Sequence, residues 1–459
     1  MKRYLPFLVL ALIFLFIKIG GIGVRLSDSN IYFYTAYQLL HGHILYKDIF
    51  FTNFPLIPYI SALYFLILGG NLSLYTFTAT IEVIIVSGII YHLVLKKNVG
   101  ILVATLASSV YLFSFIVLVT SDHQSGVFLA SVFAVISYAF FETKQFGRSG
   151  IFIALSLMTK AYFLPIFLAL LIAIFFIRRT KSIPFVLACG LTGILIVLPS
   201  LVFAREEIFN NIIEYSLARS QGISKLNILR FFAIHDILLV ILFFYSLVRI
   251  KKNLFMGVLS LTSLLFIILY KDIYYLYLNF LIPFLALTFS DVYVSIQKRF
   301  KPQRLIIPTI LFIIFTINTV MYLSSYQNLQ KLSDIDTIAM FLKHQPNTVL
   351  YGTNDITPAL AYLSDKQLLN GIIDTNENIF RKGFLNASLL TKDAIKQEAI
   401  IVSHGAYYPQ FNVEDPLMGG IFDREQITKS CEIIASYPIT TEGIENRLNF
   451  LSCRVSLDE

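Results

Sequence analysis

At 459 residues the chain could hold two or three soluble domains, but 57% hydrophobic and only 14% charged residues set it well apart from the roughly 25% charged composition of soluble proteins. Most of its length is therefore excluded from a soluble fold, and apolar runs able to cross about 30 Å of hydrocarbon recur as far as residue 324. The formal charge of +8 does not indicate a nucleic-acid partner, because Lys and Arg stand in short clusters between apolar runs, as the positive-inside rule requires.

In chain order, Lys2 and Arg3 precede an apolar run without a small-residue cleavage site. This reads as a retained first helix rather than a removed signal peptide, with the N-terminus cytoplasmic and residues 5–24 crossing outward. The segment Arg25–Phe54 then lies outside. It carries the carboxylates Asp28 and Asp48, the cations Arg25 and Lys47, and the imidazoles His41 and His43, interleaved with Tyr and Phe. It is too polar to span a bilayer and too aromatic for a plain linker, so it reads as the active-site loop of a membrane enzyme.

Residues 55–68 are apolar but short, with prolines at 55 and 58. Were they to cross, Lys96 and Lys97 would lie outside and Asp122 opposite Asp28. If they lie in the interface or re-enter, the lysines are inside and Asp122 joins Asp28 outside, which the charge bias favours. Spans then follow at 74–95, 99–119, 124–141, 149–159, 162–177, 182–203, 226–249, 254–270, 273–294 and 305–324, with an amphipathic outer loop at 204–225. Counting the first helix, eleven spans are expected, the N-terminus inside and the C-terminus outside.

Composition changes near Ser325. Strand-like runs (TVLYG, AIIVSHG, EIIASYPI, NRLNFLSCRV) alternate with helix-like ones (DIDTIAMFLKH, PALAYLSDKQ, LTKDAIKQE). The expected fold is thus a polytopic α-helical membrane protein: a transmembrane domain over 1–324 with a catalytic loop at 25–54, and a small extracytoplasmic α/β domain over 325–459. Cys431 and Cys453 lie in this tail and can pair if it faces an oxidising compartment. With Cys189 they show no metal-ligand spacing, and neither a GxGxxG nor a P-loop pattern is present.

Asp28 and Asp122 each follow an outward span and precede a helical run, so each reads either as a helix cap or as a functional carboxylate. Sugar transfer from a phosphate carrier needs a base for the acceptor hydroxyl and groups that offset charge on the departing phosphate. Asp28 and Asp122 are the candidates for the first task. Lys160, in an otherwise apolar stretch, is a candidate for the second, or a snorkelling lysine; Arg205, Arg219 and Lys271 are further candidates. Asp48 is a candidate substrate contact. His41, His43 and His123 could ligate a divalent metal or be ordinary surface histidines. The run from Tyr270 to Pro283, with Tyr274 and Tyr275, could line a sugar or acyl groove or form an interfacial belt. Glu82 lies inside a span and needs a partner there.

These pieces, in this order, resemble the GT-C class of integral-membrane glycosyltransferases, in the branch containing protein O-mannosyltransferases and lipid A aminoarabinose transferases. The resemblance runs over most of residues 1–324. It rests on Asp28 soon after helix one, A-x-x-L-L-x-G from Ala36 to Gly42, and Tyr-Lys-Asp at 46–48. To these it adds the proline segment from Pro55 to Gly69, Asp122, Thr159-Lys160, and Tyr274-Tyr275 ahead of Pro283. Asp28-Ser29 stands where the family often has two acidic residues, and Asn53 where many members have a Glu. The resemblance implies a polyprenyl-phosphate sugar donor, inversion at the anomeric carbon, Asp28 as base or acceptor-orienting group, Asp122 as its partner and Lys160 on the phosphate, at the outer face of the plasma membrane. It leaves the metal open, and the acceptor as protein, lipid or glycan. A polyprenyl-lipid carrier or flippase without chemistry, or a cell-envelope assembly protein using its tail for interactions, is the alternative.

Overall fold

The computed structural model describes residues 2–218, 224–271, 273–299, 306–329, 331–408, 413–415, 420–441 and 444–453. It is mostly helical, with one small sheet. Two compact units emerge: Met1–Ile22, Phe77–Leu198 and Ser220–Gln327 form a helical unit, and Gly23–Thr76, Pro199–Arg219 and Asn328–Glu459 form a unit around the sheet. The polar loop 25–54 thus belongs to the same unit as the tail.

In the helical unit, helices stand on the apolar runs. Among the described residues, Leu72–Lys96, Ala161–Phe203 and Ile306–Tyr326 are long and apolar enough to cross a membrane; Lys225–His235 with Ile237–Val248 adds a fourth if that bent pair is one span. The remaining apolar helices, such as Val127–Glu142, Phe146–Thr159 and Leu254–Leu269, are shorter. Of the eleven expected spans, some thus coincide with the three or four helices of spanning length among the described residues, and the others fall on shorter apolar helices.

Local chemistry explains two of the breaks. The 99–119 run divides into Ile101–Leu112 and Phe115–Thr120, and the 226–249 run, expected as one span, bends by 107° at Asp236. The buried Asp236 carboxylate accepts the N–H groups of Phe115 (2.8 Å) and Ile116 (3.0 Å). One broken helix thereby caps the start of another, satisfying donors that no helix start can satisfy internally. The Asn318 amide donates to the Phe113 carbonyl at 2.9 Å, closing the same break. Elsewhere small residues let helices approach. The Ser137 hydroxyl donates to the Ser149 carbonyl (2.8 Å) and Ser156 to that of Ala130 (2.9 Å), and a side chain at Gly150 would collide with the Phe185 carbonyl.

In the second unit the strands are β1 (Val349–Gly352), β2 (Gln367–Leu368), β3 (Ile400–Tyr408), β4 (Val413–Asp415), β5 (Cys431–Thr441) and β6 (Ile444–Cys453). Their order is β2-β1-β3-β6-β5, with β4 also on β3. β1 runs parallel to both β2 and β3, whereas β6 is antiparallel to β3 and β5. Each of the four strand-like runs of the tail supplies a strand, the last described as far as Cys453, and the helices Ile335–His344, Thr357–Leu363 and Ala387–Lys396 overlap its three helix-like runs. Cys431 and Cys453 face one another in the β5–β6 register and form a disulfide. Because β1 leads to β2 on one side while β3 lies on the other, the carboxyl ends of β1 and β3 form a topological switch point.

Candidate functional site

Asp28 stands at the head of the helix Ser29–Leu40. Its carbonyl accepts the N–H groups of Ile31 (3.1 Å) and Tyr32 (3.2 Å). Its side chain makes no capping hydrogen bond and is exposed, so the carboxylate is not consumed by capping. The neighbours are fixed instead. Ser29 and Asn30 are fully buried; the Asn30 amide donates to the Arg25 carbonyl (2.7 Å) and to the Asp355 carbonyl. The Ser27 N–H reaches the same Asp355 carbonyl at 3.1 Å. Upstream, the Arg25 guanidinium donates to the Leu329 carbonyl and the Leu332 N–H to that of Val24 (3.0 Å). An exposed carboxylate is thereby carried on a backbone pinned on both sides.

The aromatic residues of this segment are packing groups. Phe33 contacts the rings of Phe65 (5.0 Å), Tyr75 (5.4 Å) and Tyr362 (4.9 Å). The other polar candidates of the loop serve locally. The Asp48 carboxylate accepts the Ile44 N–H at 2.7 Å and closes a turn. The His41 ring lies against Tyr37 (4.2 Å) with Nδ1 2.8 Å from the Tyr37 carbonyl, and His43 is exposed. At the far end of the loop, the buried Thr52 hydroxyl donates to Asp374 at 3.1 Å. Arg205 is exposed at the start of a short helix, and Arg219 lies outside the described residues.

Asp355 and His404 pair at 2.9 Å, from the loop after β1 and from β3. Burial opposes charge on both. The His404 imidazolium nevertheless holds the Asp355 carboxyl below the ordinary carboxylate range, and the Asp355 carboxylate raises His404 above the usual imidazole value.

In the helical unit, Asp122 is buried, at 8% exposure, rather than displayed on a loop. It forms an ion pair with Lys18, and the Tyr322 hydroxyl lies 2.9 and 3.0 Å from its two oxygens. Lys18 also donates to the Leu118 carbonyl (2.6 Å) and to the Tyr322 oxygen (3.1 Å). Sequence reasoning missed Lys18 and Tyr322. A lone cation in the apolar run LALIFLFIKI was the available signal. Glu82 finds Gln124, whose amide donates to it at 2.7 Å.

Lys160 is buried, in extended backbone where the helix Phe146–Thr159 ends. Nearby in sequence, Tyr162 stacks on Tyr277 at 4.3 Å; Tyr277 in turn lies 6.2 Å from Tyr274, and Tyr275 stacks on Phe231 at 5.1 Å. Lys271 is exposed and His123 half-buried. Asp122, His123, Lys160, Lys271, Tyr274 and Tyr275 thus belong to the helical unit, and Asp28, His41, His43, Asp48 and Arg205 to the sheet unit. Among the described residues no three His, Cys, Asp or Glu side chains are grouped as metal ligands.

No protein-family model matches the chain, and no curated protein does. Solved structures do. The crystal structure of ArnT from Cupriavidus metallidurans bound to undecaprenyl phosphate superposes with a TM-score of 0.64 at 10% identity, covering 96% of this chain and 97% of that one. The apo structure of the same protein gives 0.63 at the same identity and coverage. ArnT is an aminoarabinose transferase of the GT-C class. This chain has that GT-C fold, an integral-membrane architecture.

Proposed function

We propose that the chain is an inverting glycosyltransferase that moves a sugar from a polyprenyl-phosphate donor to an acceptor at the outer face of the membrane. The observation that carries this reading is the likeness over nearly the whole of both chains to ArnT, a protein solved with undecaprenyl phosphate bound. Asp28 takes the proton of the acceptor hydroxyl as its oxygen attacks the anomeric carbon from the face opposite the phosphate. The exposed, uncapped carboxylate on a pinned backbone suits that task, since a base must be accessible yet oriented. The bond to the phosphate oxygen breaks and leaves a polyprenyl phosphate, whose charge Lys160 offsets, with Lys271, Arg205 and Arg219 as further cationic contacts. Tyr274 and Tyr275 supply apolar and hydroxyl contacts to the donor, and Asp48 is a further substrate contact. Asp122 acts through its pairing with Lys18 and Tyr322. No step is assigned to a metal ion.

The test is mass analysis of lipid-linked sugars in a strain lacking the gene. A polyprenyl-phosphate sugar should accumulate, and membranes containing the protein should consume it with release of polyprenyl phosphate. Accumulation without any such consumption would favour a carrier over a transferase.

A further inference from the structure

In open α/β sheets, the crevice at the carboxyl ends of the strands beside a switch point is where ligands bind. Here the chain's own loop takes that place. The Asp355 carbonyl, just after β1, receives both the Ser27 N–H (3.1 Å) and the Asn30 side-chain amide. These donors bracket Asp28, although Asn30 and Asp355 are 325 residues apart in sequence. Asp355 is itself tied to the neighbouring strand through His404 at 2.9 Å. The loop returns to the same edge at Thr52, whose hydroxyl donates to Asp374 at 3.1 Å. Asp374, after β2, also receives the Asn354 amide at 3.2 Å. Asn30 and Thr52 are 0% and 4% exposed, so both anchors are shielded from competing water, where a hydrogen bond holds geometry best.

We propose that the carboxyl edge of the sheet is a positioning platform for Asp28, with Asn30, Asp355 and His404 holding one end of the loop and Thr52 with Asp374 the other. The tail is then a working part of the active site rather than an appended recognition module. This rests on the reading of Asp28 as the base. Asn30 and Thr52 touch no reacting atom; they act by setting where the Asp28 carboxylate stands.

The experiment uses full-length protein in lipid nanodiscs and, as donor, the lipid-linked sugar extracted from a deletion strain. Asn30→Leu keeps the branched shape of the side chain, with bulkier methyl groups, and removes both N–H donors of the Asn30 amide. Thr52→Val removes a hydroxyl at constant shape, and Thr52→Ser keeps it. Asn30→Leu should speed hydrogen exchange about tenfold across residues 25–32, while β3 stays within about twofold of wild type. It should lower kcat by about tenfold or more with KM within about twofold, since even a misplacement of about 1 Å can cost 10²-fold. Thr52→Val should lower kcat in the same way and Thr52→Ser should retain it, which carries the test if Asn30→Leu fails to fold. Unchanged exchange over 25–32 in folded Asn30→Leu overturns the platform, whatever happens to transfer. Faster exchange with unchanged kcat overturns its role in the reaction. Wild-type transfer by Asp28→Asn would instead sink the assignment of the base, and leaves the exchange result standing by itself.

Discussion

Asp122 and Lys18 neutralise one another inside the helical unit, and the Tyr322 hydroxyl completes the cluster. Removing one member of a buried pair leaves the other charge uncompensated, a loss of about 3–5 kcal/mol, whereas replacing both with apolar groups of similar volume is often neutral. Lys18→Met should therefore lower the thermal midpoint sharply, and Lys18→Met with Asp122→Leu should restore most of it. Transfer by that folded double variant reads out the part of Asp122 in the reaction: a loss supports it, wild-type activity removes it. Asp355 and His404 make a second residue-scale prediction. The raised His404 value gives stability that is fully present below about 6.5, its ordinary value, and is lost as pH rises through the higher folded value. The depressed Asp355 value gives stability present above 3.8 and lost as pH falls through the lower folded value. The gap in thermal midpoint between wild type and His404→Gln should accordingly be widest between these limits and close as the solution becomes alkaline. A gap independent of pH would show that the ion pair does not set it. The place of Asp28 at a helix start was legible in the sequence because four small polar residues, SDSN, precede a helical run. The buried state of Asp122 was not, since its partners come from residues 18 and 322.

At the scale of elements, helix positions follow apolar runs closely, because length and hydropathy are local properties. Where helices break does not, when the cause is remote. Nothing within DILLV marks the 107° bend at Asp236; its reason is a pair of N–H donors about 120 residues earlier in the chain. Asp236→Ala should leave both donors buried without their acceptor, costing on the order of 1–3 kcal/mol for each. Asp236→Asn, which keeps one carbonyl acceptor, should lose less. Equal midpoints for the two variants would contradict this account of the bend. In the tail, strands of nine to eleven residues such as β3, β5 and β6 carry enough β-branched and aromatic residues to be read directly. β2, two residues long, exists only because β1 offers it an edge.

At the scale of the whole molecule, hydropathy alone divides the chain near residue 324, yet residues 23–76 cluster with the tail. That grouping was not legible because it rests on hydrogen bonds between segments some three hundred residues apart, such as Asn30 to Asp355. It bears on the proposed function because the loop carrying Asp28 is hydrogen-bonded to the loop after β1. The most direct test of the account is the initial rate of sugar transfer from the extracted polyprenyl-phosphate sugar by wild type and Asp28→Asn, both in nanodiscs at matched amounts of folded protein. Loss of the proposed general base should cut the rate by about 10²–10⁴-fold with donor binding retained; transfer by Asp28→Asn at the wild-type rate would contradict the account.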